Sequence, residues 1–478
     1  MTEDFHLMIP GAESAGRHEV VSPYDGSIIG SCEIADAKAI SLSLETAAKL
    51  LADRHRWLSG AERIAILEKT AAIMQDRFEH LAVESAREGG KPLVDSRVEV
   101  TRAIDGVKNC AELLRSEAGR EIPMGINAAS ANRLAFTHRE PIGVVAALSA
   151  FNHPLNLIVH QVGPAIAAGC PVIIKPASDT PLSCMRFVSM LREAGLPDEW
   201  CQACVTDSNE TIEKLVSDER IAFFSFIGSA RVGWMLRSKL APGTRCGLEH
   251  GGAAPVLVAP DADLDDALPL IAKAGFYHAG QVCVSVQRVY VEASQAQFVA
   301  NKLAEFGNAM KVGDPTSDQT DIGPLIRPKE VERINQWVSE AVNDGASLVS
   351  GGAPISARCY PATVLLDPPD SSTISQNEIF GPVICVYSYS DMDEAIRRAN
   401  ALPFSFQAAV FTTSLDTALR AYKHLEASAV MVNDHTAFRV DWMPFAGLKV
   451  SGHGTGGIRY TYEDMTVEKM MVIRSAEI

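Results

Sequence analysis

From residue 141 onward, short apolar runs alternate with segments of helical pattern, and this alternation limits the folds open to the chain. The apolar runs lie at residues 142–148, 172–175, 201–205 and 221–226. Strands that are apolar on both faces and separated by helices indicate βαβ units with a parallel sheet buried between helical layers. We therefore predict an α/β fold, in which ligands bind at the carboxyl ends of the strands.

A second unit with the same pattern begins after Gly251-Gly252. Its predicted strands lie at 256–259, 289–291, 383–387 and 408–411, with helices at 330–343 and 393–400. Two further segments of strand character, 133–139 and 465–474, belong to neither unit. Such segments often pair with the edge strand of another subunit.

Capping residues mark several predicted helix boundaries. Ser59 and Glu62 fit a capping box, and apolar residues at helical spacing extend this helix past residue 81, to a stop before Gly89-Gly90. A second helical run covers about residues 98–117. Thr180, directly before Pro181, predicts the N-cap of another helix.

The charge and composition exclude several classes of function. The 478 residues carry a formal net charge of -16, which repels phosphate backbones and anionic lipids, so we expect neither a nucleic-acid nor a membrane partner. We see no apolar run of about 20 residues and no signal-peptide pattern at the acidic N-terminus. The ten cysteines are scattered, which predicts a cytoplasmic location. The pair Cys201 and Cys204 has CxxC spacing without further ligands, so no metal site is predicted.

The stretch HAGQVCVSVQRVYV, residues 278–291, places Cys283 between a loop glycine and a predicted strand that starts at Val284. A cysteine is most often a small buried apolar residue. Beside a glycine on a loop, however, it can serve as a nucleophile. The stretch alone leaves both readings open.

Other polar residues follow predicted strands in the same way. Residues 226–233, FIGSARVG, read as a strand, a Gly-Ser turn and a helix whose N-terminus suits a phosphate. Lys175 can contact a ribose or phosphate, or reach solvent. Glu249 stands before the second unit, either as a functional carboxylate or in a cap or ion pair. The side-chain amide of Asn152 can donate a hydrogen bond to an oxyanion.

Taken together, six segments resemble the aldehyde dehydrogenase superfamily in their order and approximate spacing. They are SAFNHPLN with Asn152, IIKPAS with Lys175, FIGSARVG with Gly228 to Gly233, LEHGG with Glu249, GQVC with Cys283 and EIFGP with Glu378. The resemblance covers nearly the whole chain.

The resemblance implies three parts in the fold. They are a Rossmann-like cofactor domain at 1–123 and 141–251, an α/β catalytic domain at 252–458, and a small β oligomerisation arm at 124–140 and 459–478. The arm implies a homodimer or homotetramer.

The resemblance also implies roles for single residues in oxidising an aldehyde with NADP or NAD. Cys283 is the nucleophile, Asn152 and the Cys283 backbone N–H stabilise the oxyanion, and Glu249 activates water. The cofactor contacts that it implies are Lys175, Ser178, Gly228, Ser229, Gly233, Glu378 and Phe380.

Some positions depart from the commonest family pattern. His250 stands where leucine is usual, and Phe151 stands where tryptophan is frequent before the asparagine. Ser178 occupies a position where members that prefer NAD often carry glutamate, and a glutamate there would repel a 2′-phosphate. We therefore predict that NADP is accepted. The alternative is that Ser178 only caps a turn.

The substrate pocket is predicted from the family's tunnel and mouth. Its candidate residues are Arg102, Phe151, His153, Val282, Val284, His435 and Arg439. Four of these are potential cations, which suggests attraction of an anionic aldehyde. The segments FNHPLN and GQVCVSVQRV look most like the branch acting on lactaldehyde, succinate semialdehyde and phosphono- or sulfo-aldehydes. The alternative is that Arg102 pairs with a neighbour such as Glu99, that Arg439 pairs with Asp441, and that the histidines are neutral.

Three other functions compete with aldehyde oxidation. A CoA-acylating relative would usually lack the base that Glu249 supplies. A binding or structural role on the same fold predicts loss of catalytic groups, yet Asn152, Glu249, Cys283 and Glu378 are all present. A cysteine hydrolase needs a histidine joined to Cys283, and no motif provides one.

Overall fold

The computed structural model describes residues 3–206 and 208–478. Within those residues, no helix is both long and apolar enough to cross a membrane. Strands and helices alternate over most of this length, as the apolar runs predict.

The described residues form five sheets. Their strands are β1 Glu3–Phe5, β2 Arg17–Val21, β3 Ile28–Glu33, β4 Glu121–Ile122, β5 Arg133–Pro141, β6 Val144–Leu148, β7 Val172–Lys175, β8 Cys201–Ala203, β9 Ile221–Ile227, β10 Arg245–Glu249, β11 Pro255–Val258, β12 Arg288–Glu292, β13 Ser347–Ser350, β14 Thr363–Leu366, β15 Val383–Tyr389, β16 Phe404–Ser405, β17 Gln407–Phe411, β18 Ala429–Val432, β19 Leu448–Lys449, β20 Gly452–His453 and β21 Thr466–Arg474.

Helices cover both faces of the larger sheets. They are α1 Ala37–Ala52, α2 Gly60–Asp76, α3 Phe78–Gly89, α4 Leu93–Ser116, α5 Asn156–Ala168, α6 Leu182–Ala194, α7 Asn209–Val216, α8 Ala230–Arg237, α9 Leu264–Phe276, α10 Ala293–Ala309, α11 Pro328–Asn343, α12 Thr373–Gln376, α13 Met392–Ala399, α14 Leu415–His424 and α15 Ile458–Asp464.

The first large sheet has the strand order β20-β10-β9-β6-β7-β8 and is parallel except for β20. The chain order reverses between β6 and β9, so the carboxyl ends of these two strands open a crevice of the kind that binds ligands. Asn152 follows β6, and the Gly-Ser turn follows β9. The topology therefore brings two predicted site segments to the same edge.

The second large sheet has the order β13-β14-β15-β12-β11-β17-β18 and is parallel except for β13. Its central strands are buried on both faces. Cys283 lies on the connection from β11 through α9 to β12. The short strand β20, which the sequence assigned to the same unit as β11–β18, instead pairs with β10 of the first sheet.

A smaller antiparallel sheet has the order β21-β5-β4. All nine residues of β21 pair with β5 of the same chain, from Thr466 opposite Pro141 to Arg474 opposite Arg133. Apolar side chains at Met470, Met471 and Val472 are about half exposed. The strand character predicted for both segments is present, with both strands in one chain.

Two predicted helix boundaries were wrong. The helix that opens with the Ser59–Glu62 capping box ends at Asp76, and α3 follows after Arg77. Thr180 is not an N-cap, because α6 begins at Leu182. The buried carboxylate of Glu88 instead accepts hydrogen bonds from the backbone N–H groups of Leu182 and Ser183. A long-range carboxylate thus replaces the local cap.

The CxxC pair cannot act as a disulfide. Side chains three residues apart along a strand point to opposite faces. Cys201 packs in one hydrophobic core and Cys204 in the core on the other side of the sheet. Both cysteines are buried and free, and their opposite directions prevent a bridge between them.

Candidate active site

Cys283 lies in a turn, where its side chain is only partly buried. The strand predicted from Val284 starts later, at Arg288, because Val282 and Val284 turn inward to pack with Phe406 and Phe445. The thiol is therefore held on a short irregular segment whose neighbours on both sides are anchored in a small apolar cluster.

The segment before Cys283 has an unusual backbone. His278, Ala279 and Gly280 are consecutive left-handed residues, with φ of 50°, 53° and 67°. For residues other than glycine this conformation is strained, and such strain concentrates at functional sites. A Cβ atom on Gly280 would lie 2.0 Å from the carbonyl oxygen of Gly381. The Cys283 loop and the EIFGP loop are thus in direct contact.

Glu378 and the Cys283 loop both approach Gly251-Gly252, which lie just after Glu249 in the chain. A Cβ atom built on Gly251 would lie 1.6 Å from Glu378 Oε1, and one built on Gly252 would lie 3.7 Å from the carbonyl oxygen of Cys283. The approach of Glu378 to Gly251 therefore requires a residue without a side chain. Glu249, at the end of β10, lies two residues away and places its Oε1 against Gly456.

The electrostatic surroundings raise the pKa of all three groups. Burial, and then the Glu378 carboxylate, raise the pKa of the Cys283 thiol to about 12, while Arg439 opposes the rise. Burial raises the pKa of Glu378 to about 8 and also raises that of Glu249. Among these neighbours, the Arg439 cation is the one that favours ionisation of the thiol.

Asn152 is hydrogen-bonded to the Cys283 loop. Its Nδ2 donates a hydrogen bond of 2.9 Å to the backbone carbonyl of Gln281, two residues before Cys283. An amide nitrogen carries two hydrogens, so one N–H remains for a ligand. Phe151, the residue before it, packs edge-on against Phe380 with ring centroids 5.8 Å apart. The loop that carries Asn152 is therefore joined to the loop that carries Cys283 and, through Phe151, to the loop that carries Phe380.

In the Gly-Ser turn after β9, Ser229 is free for a cofactor contact, whereas Gly228 and Gly233 contact other parts of the protein. Ser229 occupies the N-cap of α8 without forming a side-chain cap, and it is exposed. Gly228 donates its N–H to the carbonyl of Glu249, at 3.0 Å. A Cβ atom on Gly233 would lie 2.0 Å from His250 Nε2. The backbone hydrogen bond of Gly228 and the close packing at Gly233 explain these two glycines without a ligand. Ser229 is therefore the residue of this turn whose side chain is free to contact a cofactor.

His250 also ties the cofactor side of the crevice to the C-terminal segment. Its Nδ1–H donates to the carbonyl of Val450 at 2.9 Å, and the Nε1–H of Trp234 donates to the same oxygen at 3.0 Å. Burial lowers the pKa of His250, so the ring is neutral. At this position, where leucine is usual, His250 therefore forms a structural hydrogen bond.

Lys175 and Ser178 lie at the carboxyl end of β7. Lys175 Nζ donates to the carbonyl of Pro176 at 2.9 Å, and burial lowers its pKa. Ser178 is partly exposed, and its hydroxyl makes no hydrogen bond within residues 3–206 and 208–478. His18 instead donates to the Ser178 carbonyl at 2.7 Å. The Ser178 hydroxyl therefore does not cap the turn and remains available.

The four potential cations of the substrate mouth do not all remain charged and free. Arg102 forms a bidentate pair with the buried carboxylate of Asp441, at 3.2 and 2.7 Å, and not with Glu99. Burial lowers the pKa of both His153 and His435, so each ring is neutral near pH 7. The predicted group of four cations therefore reduces to one unpaired cation.

That cation is Arg439. Its guanidinium carbon lies 3.5 Å from the centroid of the Phe445 ring, and none of the ion pairs among the described residues includes it. Burial lowers its pKa to about 10, while the Glu249 carboxylate opposes the fall. Since it also lowers the pKa of Cys283, Arg439 is close enough to act on both reacting groups.

Sequence reasoning missed Lys91 and the observed role of Glu99, and it named Asp441 only as an alternative partner of Arg439. Asp441 accepts from Arg102 and also from His160 Nε2 at 2.7 Å. Lys91 and Glu99 form a buried ion pair behind His153. The segment Gly89-Gly90-Lys91-Pro92 predicts the end of a helix, and no local pattern shows that the Lys91 side chain is buried.

Comparisons with known proteins agree with this geometry. A family model described as the aldehyde dehydrogenase family matches residues 11–471. The chain is 38% identical over 460 residues to a 3-sulfolactaldehyde dehydrogenase of Priestia aryabhattai, covering 96% of this chain and 95% of that protein.

Two solved structures share the whole architecture. One is aldehyde dehydrogenase 21 from Physcomitrella patens in complex with succinate, with a TM-score of 0.95, 33% identity and coverage of 100% and 99% of the two chains. The other is a glyceraldehyde-3-phosphate dehydrogenase from Methanocaldococcus jannaschii with NADP, with a TM-score of 0.91, 32% identity and coverage of 96% and 99%.

Proposed function

The chain belongs to the aldehyde dehydrogenase family, and on that premise we propose that it oxidises a small anionic aldehyde to the carboxylic acid, with NADP or NAD as the acceptor. The observation that carries the proposal is that the loops of Cys283, Asn152 and Glu378 contact one another. Glu378 and the Cys283 loop both approach Gly251-Gly252, the residues that follow Glu249 and His250.

Cys283 is the proposed nucleophile. Its thiolate attacks the aldehyde carbon and forms a thiohemiacetal, whose oxyanion accepts hydrogen bonds from the free N–H of Asn152 Nδ2 and from the Cys283 backbone N–H. Removing one donor of this kind typically costs about 3–4 kcal/mol of barrier. The Gln281 carbonyl aligns the Asn152 amide before substrate arrives.

The crevice fits a nicotinamide dinucleotide. Glu378 Oε1 is buried and has no hydrogen-bond partner among the described residues, which suits a ribose hydroxyl, and the exposed Ser229 at the start of α8 suits a pyrophosphate. Lys175 would hold the adenosine ribose, and Phe380 would pack beside the nicotinamide ribose. NADP or NAD, when bound, supplies the hydride acceptor for the reaction.

Glu249 is the proposed base for release of the product. After oxidation the acyl group is held on Cys283 as a thioester. Glu249 takes a proton from a water molecule, the hydroxide attacks the thioester carbon, and the carboxylic acid leaves as the thiolate of Cys283 is restored. Burial places the pKa of Glu249 above its ordinary range, which makes it a stronger base.

The same residues distinguish aldehyde oxidation from the three alternative functions. Transfer of the acyl group to CoA would leave Glu249 without a task beside the thioester. A non-catalytic role would leave no reason for a strained Cys283 loop. A cysteine hydrolase would need a histidine on the thiol, and none of the hydrogen bonds among the described residues joins a histidine to Cys283.

Cofactor choice gives a prediction at Ser178. Because its hydroxyl is free, we expect NADP to be accepted, and we expect Ser178→Glu to shift the NADP/NAD ratio of kcat/KM toward NAD by roughly ten- to hundredfold through repulsion of the 2′-phosphate. Steady-state assays with each cofactor measure this. Ser178→Ala is the matched control and should change the ratio far less. An unchanged ratio in Ser178→Glu would exclude a role for this position.

Substrate charge gives a prediction at Arg439, since it is the one unpaired cation of the predicted mouth. Succinate semialdehyde and butanal have four carbons each and differ in a carboxylate. We expect the enzyme to oxidise both without CoA, to prefer succinate semialdehyde, and to lose roughly ten- to hundredfold of that preference in Arg439→Met.

Salt and a charge-conserving variant complete this test. The preference should fall at high salt, because an anion is attracted through a partly screened field, and Arg439→Lys should retain part of it. If both aldehydes react equally and neither salt nor Arg439→Met changes the ratio, a general aliphatic enzyme is the better description. Turnover that requires CoA would replace the hydrolytic assignment.

We also propose that the arm joins two copies of the chain. The strand β21 forms an outer edge of its sheet, since β5 is its one partner among the residues that the structure describes, and β18 forms an edge of the seven-stranded sheet. Unpaired edges and half-exposed apolar side chains at Met470 to Val472 are features that a second copy would cover.

A further inference from the structure

A small cavity lies at the amino ends of three neighbouring parallel strands. Pro255, Arg288 and Gln407 line it, and they are the first residues of β11, β12 and β17. The cavity has a volume of about 10 Å³, which is room for one water molecule or one ion of similar size. Most of the residues that line it are buried, so an occupant would be enclosed by protein.

Arg288 is an unusual residue for such a wall, because it is only 3% exposed and none of the ion pairs among the described residues includes it. Its neighbour Arg398, in contrast, pairs with both Asp370 and Glu394. Arg288 Nη2 donates to the backbone carbonyl of Arg398 at 3.0 Å, whereas Nε and Nη1 are buried and have no hydrogen-bond partner in the described part of the chain. A buried charge in this condition is costly unless an opposite charge compensates it.

The guanidinium end of Arg288 lies at the wall of the cavity. Its Nη2 is bonded to the carbonyl of Arg398, and the next two residues, Ala399 and Asn400, line the cavity at the end of α13. The guanidinium carbon lies 5.3 Å from the centroid of the Tyr290 ring, a distance that favours the charged form of the arginine. The two donors without partners are therefore held beside the space at the end of α13.

The other polar groups of the wall do not compensate this charge. Glu426 lines the cavity, but its carboxylate pairs with Lys449 and its side chain is 52% exposed. Ser405 donates to the backbone carbonyl of Glu426. Gln407 contributes a buried amide whose oxygen has no partner among the described residues, and an amide can be turned to present its N–H end. The residues that line the cavity thus offer positive charge and N–H donors, and no unpaired carboxylate.

We propose that Arg288 and this cavity form a binding site for a halide ion, which is chloride under ordinary conditions. A single negative charge compensates the buried guanidinium, and the ion accepts charge-assisted hydrogen bonds from Nε–H and Nη1–H. Phosphate, sulfate and carboxylates carry several oxygens, so the volume excludes them. The proposal does not depend on the proposed aldehyde oxidation.

A bound halide would stabilise the segments on either side of the proposed nucleophile. Ala253 and Ala254 line the cavity and continue the Gly251-Gly252 turn. Phe406, also in the wall, packs with Val282 and Val284. We therefore expect chloride to slow hydrogen–deuterium exchange at these segments, because an occupant that binds only the folded state opposes their opening.

Binding is tested directly on the wild-type protein. The protein should broaden the chloride NMR line, and bromide should reverse the broadening while sulfate should not. In crystals grown with sodium bromide, anomalous diffraction should place an ion within hydrogen-bond distance of Arg288 Nε or Nη1. Bromide at surface sites only, or a cavity occupant without anomalous signal, which is then a water molecule, overturns the proposal.

Thermal unfolding tests the site through variants. At equal ionic strength, the Tm of the wild type should be roughly 1–3 °C higher in sodium chloride than in sodium gluconate, whose anion is too large for the cavity. Arg288→Met should lose this difference. Ala399→Val fills the cavity and keeps Arg288, so it should lose the difference as well, and it decides the test if Arg288→Met does not fold.

Arg397→Met is the matched control, since Arg397 is an exposed cation on the same helix, α13. It should keep the full difference between chloride and gluconate. General effects of the two salts on the protein surface act on the wild type and all variants alike. A difference in Tm that is the same in Ala399→Val as in the wild type therefore overturns the site. None of these measurements uses an aldehyde, so their outcome is independent of that of the proposed function.

Discussion

The Cys283→Ala variant is expected to lose aldehyde oxidation by on the order of a thousandfold or more, because no covalent intermediate can form without the thiol. The fold should be unaffected, since Cys283 lies in a turn and loses a single sulfur atom that makes no structural hydrogen bond within the described residues. NADP reduction measures the loss, and thermal unfolding measures the fold.

A matched control is available in Cys246→Ala. Cys246 is the other partly exposed cysteine among the ten, and it lies on β10 away from the Cys283 loop. The control should keep its activity. Turnover by Cys283→Ala at more than a small fraction of the wild-type rate would exclude Cys283 as the nucleophile.

The Glu249→Gln variant should separate the two halves of the reaction. The acyl-enzyme still forms, so we expect a burst of reduced cofactor of about one equivalent per active site. Steady turnover should then slow by roughly a hundred- to ten-thousandfold, because glutamine cannot take the proton from water. Stopped-flow absorbance of NADPH records both phases.

The pH dependence checks the same residue. Glu249 acts as a base only when deprotonated, and burial raises its pKa, so steady turnover of the wild type should fall as the pH drops through a value above the ordinary glutamate range. The Gln variant should lack this limb. Full steady turnover of the variant without added CoA would reject Glu249 as the base.

The sequence was informative wherever the signal was local. The α/β fold class and the family are confirmed, because alternating apolar runs and glycine-flanked motifs depend on neighbouring residues. Most predicted strands and helices lie within a few residues of the observed ones; the predicted 142–148 run, for example, is β6 Val144–Leu148.

Predictions failed where a distant group took over a local role. Thr180 fits a cap, yet Glu88 holds the start of α6 from 94 residues away. Arg102, which was predicted as a free cation or, alternatively, as the partner of a neighbour such as Glu99, binds Asp441, 339 residues away. Such pairs form only once the fold brings them together, so spacing along the chain cannot show them. The site roles themselves remain predictions that the experiments above test.

The pairing of β20 with β10 has a consequence for how the chain is made. Glu249 of β10 lies opposite Gly452 of β20, so one edge of the first sheet stays open until the ribosome has added roughly 200 more residues. At ordinary rates of synthesis this takes about 10–40 s. An uncovered edge strand is a template for aggregation. We therefore expect newly made chains to depend on chaperones in this interval more than the finished enzyme does during refolding.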